Sequence, residues 1–146
     1  MKALLLLHLL ATLTMFGAIW IVQVVHYPLF SGVGVERWAA YEAAHQTRIT
    51  WVVGPAMLLE LGTAVALVWM RPTGLPLWML WGGLVLVGVI WASTAFVQVP
   101  LHNILMVGFD GDAHARLVGT NWIRTVAWTL RTGLVLWMTA LLLDVG

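Results

Sequence analysis

Residues 3–27 read ALLLLHLLATLTMFGAIWIVQVVHY and contain no Asp, Glu, Lys or Arg. A helix needs about 20 mostly apolar residues to cross the roughly 30 Å hydrocarbon core of a bilayer. This stretch is long enough to cross the core, and it contains none of these charged residues. It therefore predicts a first membrane-spanning helix.

Three further apolar stretches follow, at residues 49–70, 76–101 and 122–143. The whole chain is 62% hydrophobic and 9% charged, with a mean hydropathy of +0.95, whereas about a quarter of the residues of a soluble domain are charged. Four spans in 146 residues leave room only for short connections. We therefore expect a single transmembrane domain over residues 1–146, an all-α four-helix bundle with up-down-up-down topology.

The connection between the first two spans has two parts. Ser31-Gly32-Val33-Gly34 is a glycine-rich break, and residues 35–44 then show the pattern of a short amphipathic helix. We expect this helix to lie at the membrane interface. In an up-down bundle, it shares one membrane face with the end of span three and the start of span four.

Composition also limits the classes of partner. The chain has no cysteine, which excludes disulfides, thiolate metal sites and cysteine nucleophiles. Its net charge of +1 comes without a basic tract, so nucleic acid is not an expected partner. We expect membrane lipids and a small hydrophobic substrate, with a homo-oligomer or a larger membrane complex as further options, and location in a bacterial inner (plasma) membrane.

Polar side chains recur at helical spacing near the shared face. Polar groups in lipid are costly unless they face the bundle interior, water or one another, so these stripes predict a polar pocket. Alternatively, these side chains extend along the helix to the membrane interface (snorkelling), which applies especially to Arg48 and Arg124. The stripes are Gln23, His26 and Tyr27; Tyr41, His45 and Arg48; Gln98 and His102; and Asn121, Arg124, Trp128 and Arg131.

Glu60 and Arg131 lie too deep in their spans to reach an interface. A charge near the bilayer centre costs about 3 kcal/mol even on lenient scales. We therefore predict that the two form an ion pair beneath the pocket. A purely structural role is the stronger interpretation of that pair. His8, near the far end of span one, has no obvious polar neighbour and is expected to be structural or interfacial.

His26, His45 and His102 are expected at similar depths. Three imidazoles from three helices could ligate copper, iron or zinc, and two facing ones could hold a haem iron. Proton transfer or substrate hydrogen bonding is the favoured role. The cofactor therefore stays open among none, a copper or iron ion, and haem.

Four short motifs occur in a characteristic order: His26-Tyr27-Pro28-Leu29-Phe30, His45-Gln46-x-Arg48, Val99-Pro100-Leu101-His102-Asn103 and Asn121-Trp122-x-Arg124-Thr125. In these motifs, the chain resembles the anthrone-oxygenase-like family of small four-span membrane proteins, best over spans three and four. The resemblance implies oxidation of an aromatic or polycyclic phenolic substrate. It puts His102, Asn103, Asn121 and Arg124 in matching positions.

These observations favour a membrane-embedded oxidoreductase of the oxygenase type that acts on an aromatic or quinone-like molecule. The expected catalytic residues are His26, His45, Arg48, His102, Asn103, Asn121 and Arg124, and the expected substrate-binding residues are Gln23, Tyr27, Tyr41, Gln98 and Trp128. The arginines would stabilise an oxyanion, and His26 or His45 would act as base. The alternatives are a haem-binding electron-transfer subunit and a non-catalytic accessory subunit of a membrane complex.

Overall fold

A computed structural model describes residues 1–144, and all regular elements in that part of the chain are helical. The α-helices are α1 (Lys2–Ile21), α2 (Val35–Met70), α3 (Leu77–Ser93), α4 (Val99–Val107) and α5 (Gly111–Asp144). A π-helical turn, Val22–His26, follows α1 and leads into a 3₁₀ turn, Pro28–Gly32. A second π turn, Thr94–Gln98, joins α3 to α4.

Within residues 1–144, four helical segments are long and apolar enough to cross a membrane: Lys2–Gly32, Val35–Met70, Leu77–Val107 and Gly111–Leu142. The predicted all-α architecture with four spanning helices is therefore confirmed. Their up-down order stays a prediction from the short connections.

The predicted short interfacial helix is not a separate element. Residues 35–44 are helical, but they form the first turns of α2, which continues unbroken for 36 residues, or ~54 Å at 1.5 Å per residue. Residues 35–53 contain neither proline nor glycine, so nothing in the sequence ends the helix there. The polar residues of this stretch are consequently fixed in the same helical phase as the second span.

Both π turns occur directly before a proline-containing segment at the polar end of the bundle. The Tyr27 N–H donates to the Val22 carbonyl at 2.9 Å, and the Val99 N–H donates to the Thr94 carbonyl. Pro28 and Pro100 follow, and a proline lacks an N–H and crowds the carbonyl four residues earlier. A π turn holds one more residue than an α turn, so it shifts the helical phase; such turns are frequent at functional sites.

Apolar side chains fill the bundle along its length, while several tryptophans face outward. Trp51, Trp69 and Trp78 are 79%, 85% and 57% exposed, as expected for residues that contact lipid. Trp38, in contrast, is fully buried and donates from Nε1 to the Leu105 carbonyl at 2.6 Å. It therefore packs the core at the polar end.

Candidate functional site

Arg131 and Glu60 form the predicted ion pair deep in the bundle. Arg131 Nε donates to Glu60 Oε1 at 2.7 Å, and both side chains are buried. Arg131 Nη1 also donates to the Gly83 carbonyl, and Trp128 Nε1 donates to Glu60 Oε2 at 3.0 Å. These contacts satisfy the charges with bonds to α2, α3 and α5. Trp128, predicted to bind substrate, is fully buried and instead supports this pair.

His8 belongs to the same deep cluster, which corrects the expectation that it lacks a polar neighbour. Arg131 Nη2 lies 3.0 Å from His8 Nε2, and His8 Nδ1 lies 2.7 Å from Thr63 Oγ1. A guanidinium can only donate, so His8 Nε2 accepts and its Nδ1–H donates to Thr63. The imidazole links α1 to α2 and α5.

Gln23 and Asn121 meet nearer the polar face, where they join the first π turn to α5. Asn121 Nδ2 donates to Gln23 Oε1 at 2.9 Å, and Gln23 Nε2 donates to the Val118 carbonyl at 3.1 Å. Asn121 Oδ1 in turn accepts a 3.3 Å hydrogen bond from Arg124 Nη1. Gln23 and Asn121 are both buried. They hold Arg124 in place.

Arg124 is 7% exposed and points into the bundle, so it is not a snorkelling residue. Its guanidinium lies 5.2 Å from the centroid of the Trp128 ring and faces the Tyr27 hydroxyl. Among the described residues, no hydrogen-bond partner satisfies its buried Nε. A cation with a free donor in a buried site is suited to binding an anionic oxygen.

Glu42, His102 and Tyr27 form a buried hydrogen-bonded relay. Glu42 Oε1 lies 2.6 Å from His102 Nδ1, and His102 Nε2 lies 2.8 Å from the Tyr27 hydroxyl. Because a carboxylate only accepts, His102 donates a hydrogen bond from Nδ1 to Glu42. His102 Nε2 therefore accepts a hydrogen bond from the Tyr27 hydroxyl. Gln46 Nε2 donates to the same carboxylate oxygen at 3.0 Å.

Sequence reasoning missed Glu42, which is fully buried. It lies in residues 35–44, which the sequence predicts as a short helix at the membrane interface. The available signal was its position three residues before His45, which puts both on one face of a continuous helix. The relay depends on α2 having no break at residue 44.

His26 and His45 hydrogen-bond each other, with 2.8 Å between His26 Nε2 and His45 Nδ1. The predicted metal site of His26, His45 and His102 does not fit this arrangement, because His26 Nε2 and His45 Nδ1 bond each other and both nitrogens of His102 bond other protein groups, which leaves His102 no nitrogen for a metal. Across residues 1–144, no group of three or more His, Asp or Glu side chains could hold a metal ion. The paired rings, 4.7 Å between centroids, also leave no space for haem between them.

Three predicted site residues lie outside the buried relay. Asn103 is exposed and makes no side-chain hydrogen bond to the described residues, because it lies about 100° around α4 from His102. Arg48 is exposed, and Tyr41 is half-buried. Arg48 and Tyr41 line a groove of about 300 Å³ on the outer side of the bundle, together with His26, Ala44, His45, Ile49 and Val52. We call this the outer groove.

A second concavity, the central cavity, has a volume of about 120 Å³. Its polar wall includes Tyr27, Gln46, Gln98, His102 and Arg124, and its apolar wall includes Met15, Ile19, Val22, Ile49, Val53 and Val99. Thr50 of α2 and Val99 of α4 line it and are exposed, so its mouth lies between these helices. The relay and the Arg124 cation thus meet at one small cavity.

Gln98, predicted to bind substrate, lines this cavity from the second π turn. Its Oε1 accepts from Ser93 Oγ at 2.9 Å, and its Nε2 donates to Thr120 Oγ1 at 3.3 Å. These bonds fix the amide between α3 and α5. The π turn therefore sets one wall of the cavity.

No protein-family model matches this chain, and no curated protein or solved structure is significantly similar to it. The resemblance to the anthrone-oxygenase-like family therefore stays a prediction from four short motifs.

Proposed function

We propose that this protein is a membrane-embedded enzyme that removes a proton from a small aromatic or quinone-like substrate, as the first step of an oxygenase-type oxidation. The observation that carries the proposal is the relay from Glu42 through His102 to Tyr27, which ends at the central cavity. A carboxylate, an imidazole and a hydroxyl in series are the parts of general acid–base catalysis.

The relay gives each group a defined role. The Tyr27 oxygen takes a proton from the substrate while its own proton passes to His102 Nε2. His102 becomes an imidazolium, which the Glu42 carboxylate stabilises through the 2.6 Å contact at Nδ1. The substrate that has lost this proton is an anion, and it stays in the cavity.

Arg124 is placed to stabilise that anion. The negative charge of a deprotonated phenol or enol resides on oxygen, and a guanidinium held in a buried site stabilises it more than water would. Asn121 Oδ1, which accepts a hydrogen bond, and the Trp128 ring together hold the guanidinium in position. This cation replaces the pair of arginines expected from the sequence, because Arg48 faces the outer groove.

Cavity size limits the substrate. A cavity of ~150 Å³ is known to hold one benzene molecule, and the central cavity is somewhat smaller at about 120 Å³, so it takes at most a single ring that also extends into the open mouth. We therefore propose that one oxygen-bearing ring enters, while the rest of a larger substrate stays at the mouth between Thr50 and Val99. This mouth opens between two spanning segments, so the substrate arrives from the bilayer.

Dioxygen completes the proposed reaction. A deprotonated ring methylene is electron-rich and gives electrons to dioxygen. The methylene carbon becomes a carbonyl with one oxygen atom, and the second oxygen atom leaves as water with the two methylene hydrogens. The family resemblance supports this step, and the relay supplies the deprotonation that starts it.

The other two hypotheses from the sequence have less support. A haem-binding subunit needs two imidazole nitrogens directed at one iron, whereas His26 Nε2 and His45 Nδ1 contact each other and both nitrogens of His102 are hydrogen-bonded. An accessory subunit needs no internal relay or cavity. An absorption spectrum tests the first, because haem gives a Soret band, and purification in mild detergent tests the second through a stoichiometric partner.

Oxygen uptake by the purified protein in lipid nanodiscs tests the proposed function. A panel of phenols, quinols and ring-methylene ketones supplies the substrate. We expect Tyr27→Phe, His102→Gln and Glu42→Gln to reduce turnover by about 10²- to 10⁴-fold, the usual contribution of acid–base groups. Glu36→Gln, which removes an exposed carboxylate from α2, is the matched control and should keep turnover. Full activity in folded Tyr27→Phe or His102→Gln protein would refute the proposal.

A further inference from the structure

Two buried polar atoms near the relay have no partner among the described residues: Glu42 Oε2 and His45 Nε2. A buried polar atom without a hydrogen bond costs about 1–3 kcal/mol. The two residues stand three apart on α2, so their side chains are neighbours on one helix face. A water molecule between them would satisfy both atoms.

His45 also contacts His26, which gives it a second connection. His45 Nδ1 lies 2.8 Å from His26 Nε2, and both histidines line the outer groove. His26 is only partly buried, whereas Glu42 is fully buried. A continuous series of groups therefore runs from the central cavity to the outer groove.

We propose that Glu42, His45 and His26 form a proton wire that connects the central cavity to the outer groove. A proton on His102 Nδ1 passes to Glu42 Oε1, and rotation of the resulting carboxylic acid turns the protonated oxygen toward the bridging water. The acid then gives this proton through the water to His45 Nε2 and becomes a carboxylate again. His45 releases a proton from Nδ1 to His26 Nε2, and His26 releases one to water in the groove. No electron moves in these steps. Each group returns to its starting protonation state when its protons move back to the atoms that held them at the start.

An imidazole suits each step because it accepts at one nitrogen and donates from the other. The wire rests on the proposed function for its purpose, since a base that keeps its proton cannot act twice. It also gives the His26–His45 pair a role other than metal binding. The substrate mouth lies between Thr50 and Val99, so substrate and proton use different openings.

Hydrogen–deuterium exchange at the His102 ring tests the wire and needs no substrate. Protein with ¹⁵N-labelled histidine in lipid nanodiscs is moved into D₂O, and the His102 imidazole N–H is followed by NMR. The His102 Nδ1–H points away from the central cavity to the fully buried Glu42 carboxylate, so without a wire this proton exchanges only when the structure opens. We expect fast exchange in the parent protein and at least tenfold slower exchange in His45→Gln, whose amide hydrogen-bonds but does not relay protons.

Thr47→Val is the matched control, because Thr47 is exposed on α2 two residues from His45. It should leave the exchange rate unchanged. His26→Gln cuts the wire at its outer end and should slow exchange as well, which covers the case that His45→Gln does not fold. Equal His102 ring exchange in the parent protein and in a folded wire variant would overturn the wire. Absence of oxygen uptake with every substrate would instead refute the proposed function and leave the exchange result to stand by itself.

Discussion

Gly83 is the point where the deep cluster touches the backbone of α3. A Cβ added there would lie 3.2 Å from Arg131 Nη1 and 3.7 Å from Leu134 Cδ2. The guanidinium has no freedom to move away, because Glu60, His8 and the Gly83 carbonyl each hold one of its nitrogens. The absence of a side chain at residue 83 is therefore part of the ion-pair site.

We predict that Gly83→Ala destabilises the protein by about 1–3 kcal/mol, the usual range for overpacking a core. Gly88→Ala is the control in the same helix, since an added Cβ there meets no atom within 4 Å. Alanine favours a helix by about 1 kcal/mol over glycine, so the control should be neutral or stabilising. Thermal unfolding in detergent measures both, and a Gly83→Ala protein as stable as the control would contradict the prediction.

At the level of elements, the two π turns determine which side chains reach the interior. In the second turn, Gln98 is buried and Phe96 is 81% exposed to the outside. A π turn is equivalent to an α-helix with one added residue, so the flanking helices keep their relative orientation when that residue is removed. The same deletion in a regular α-helix rotates everything after it by about 100°.

We therefore predict that deletion of Phe96 yields a folded protein, whereas deletion of Val89 does not. Val89 lies in the regular part of α3 and is 41% exposed, so little packing is lost directly in either case. Removal of Val89 would turn His102 away from Glu42. Size-exclusion elution and the thermal midpoint in detergent compare the two variants. Equal damage from both deletions would show that the π turn does not accommodate the extra residue.

The apolar stretches were sufficient to predict the four spanning helices, because burial in lipid requires long uncharged runs. Depth along those runs was also sufficient to predict the Glu60–Arg131 pair. Neither inference needs the rotation of one helix against another. Both depend only on position along the chain, which the sequence gives directly.

Side-chain direction was predicted less well, for identifiable reasons. Asn103 was assigned to the pocket beside His102, although two adjacent residues on a helix cannot face the same way. Glu42 lies in the stretch that the sequence predicts as a separate surface helix, although residues 35–53 contain no proline or glycine that would end a helix there. The π turns have no clear sequence signature apart from the prolines that follow, so the helical phase beyond them could not be derived.

On the scale of the whole molecule, the bundle separates two openings at its polar end. The central cavity opens between α2 and α4, and the outer groove lies between His26 of the first π turn and the side of α2 that carries Tyr41 and Arg48. An apolar substrate is concentrated in the bilayer, so a mouth between spanning helices gives it direct access. The proposed substrate would therefore reach the cavity without a soluble carrier.

We predict that Val99→Trp, which fills the mouth, abolishes turnover of added substrate and leaves the thermal midpoint within a few degrees. Val99 is 47% exposed, so the larger ring has space outside the core. Val89→Trp places the same ring on an exposed position of α3 away from the cavity and should keep full activity. Oxygen uptake and thermal unfolding are measured on both. Unchanged turnover in Val99→Trp would show that the substrate enters elsewhere.

The ion pair between Glu60 and Arg131 also has a consequence for the biogenesis of this protein. Its partners are 71 residues apart in the chain. During synthesis, α2 enters the bilayer before α5 has left the ribosome, and a lone acidic group at that depth costs about 3 kcal/mol. The nascent chain therefore carries an uncompensated carboxylate until the last helix arrives.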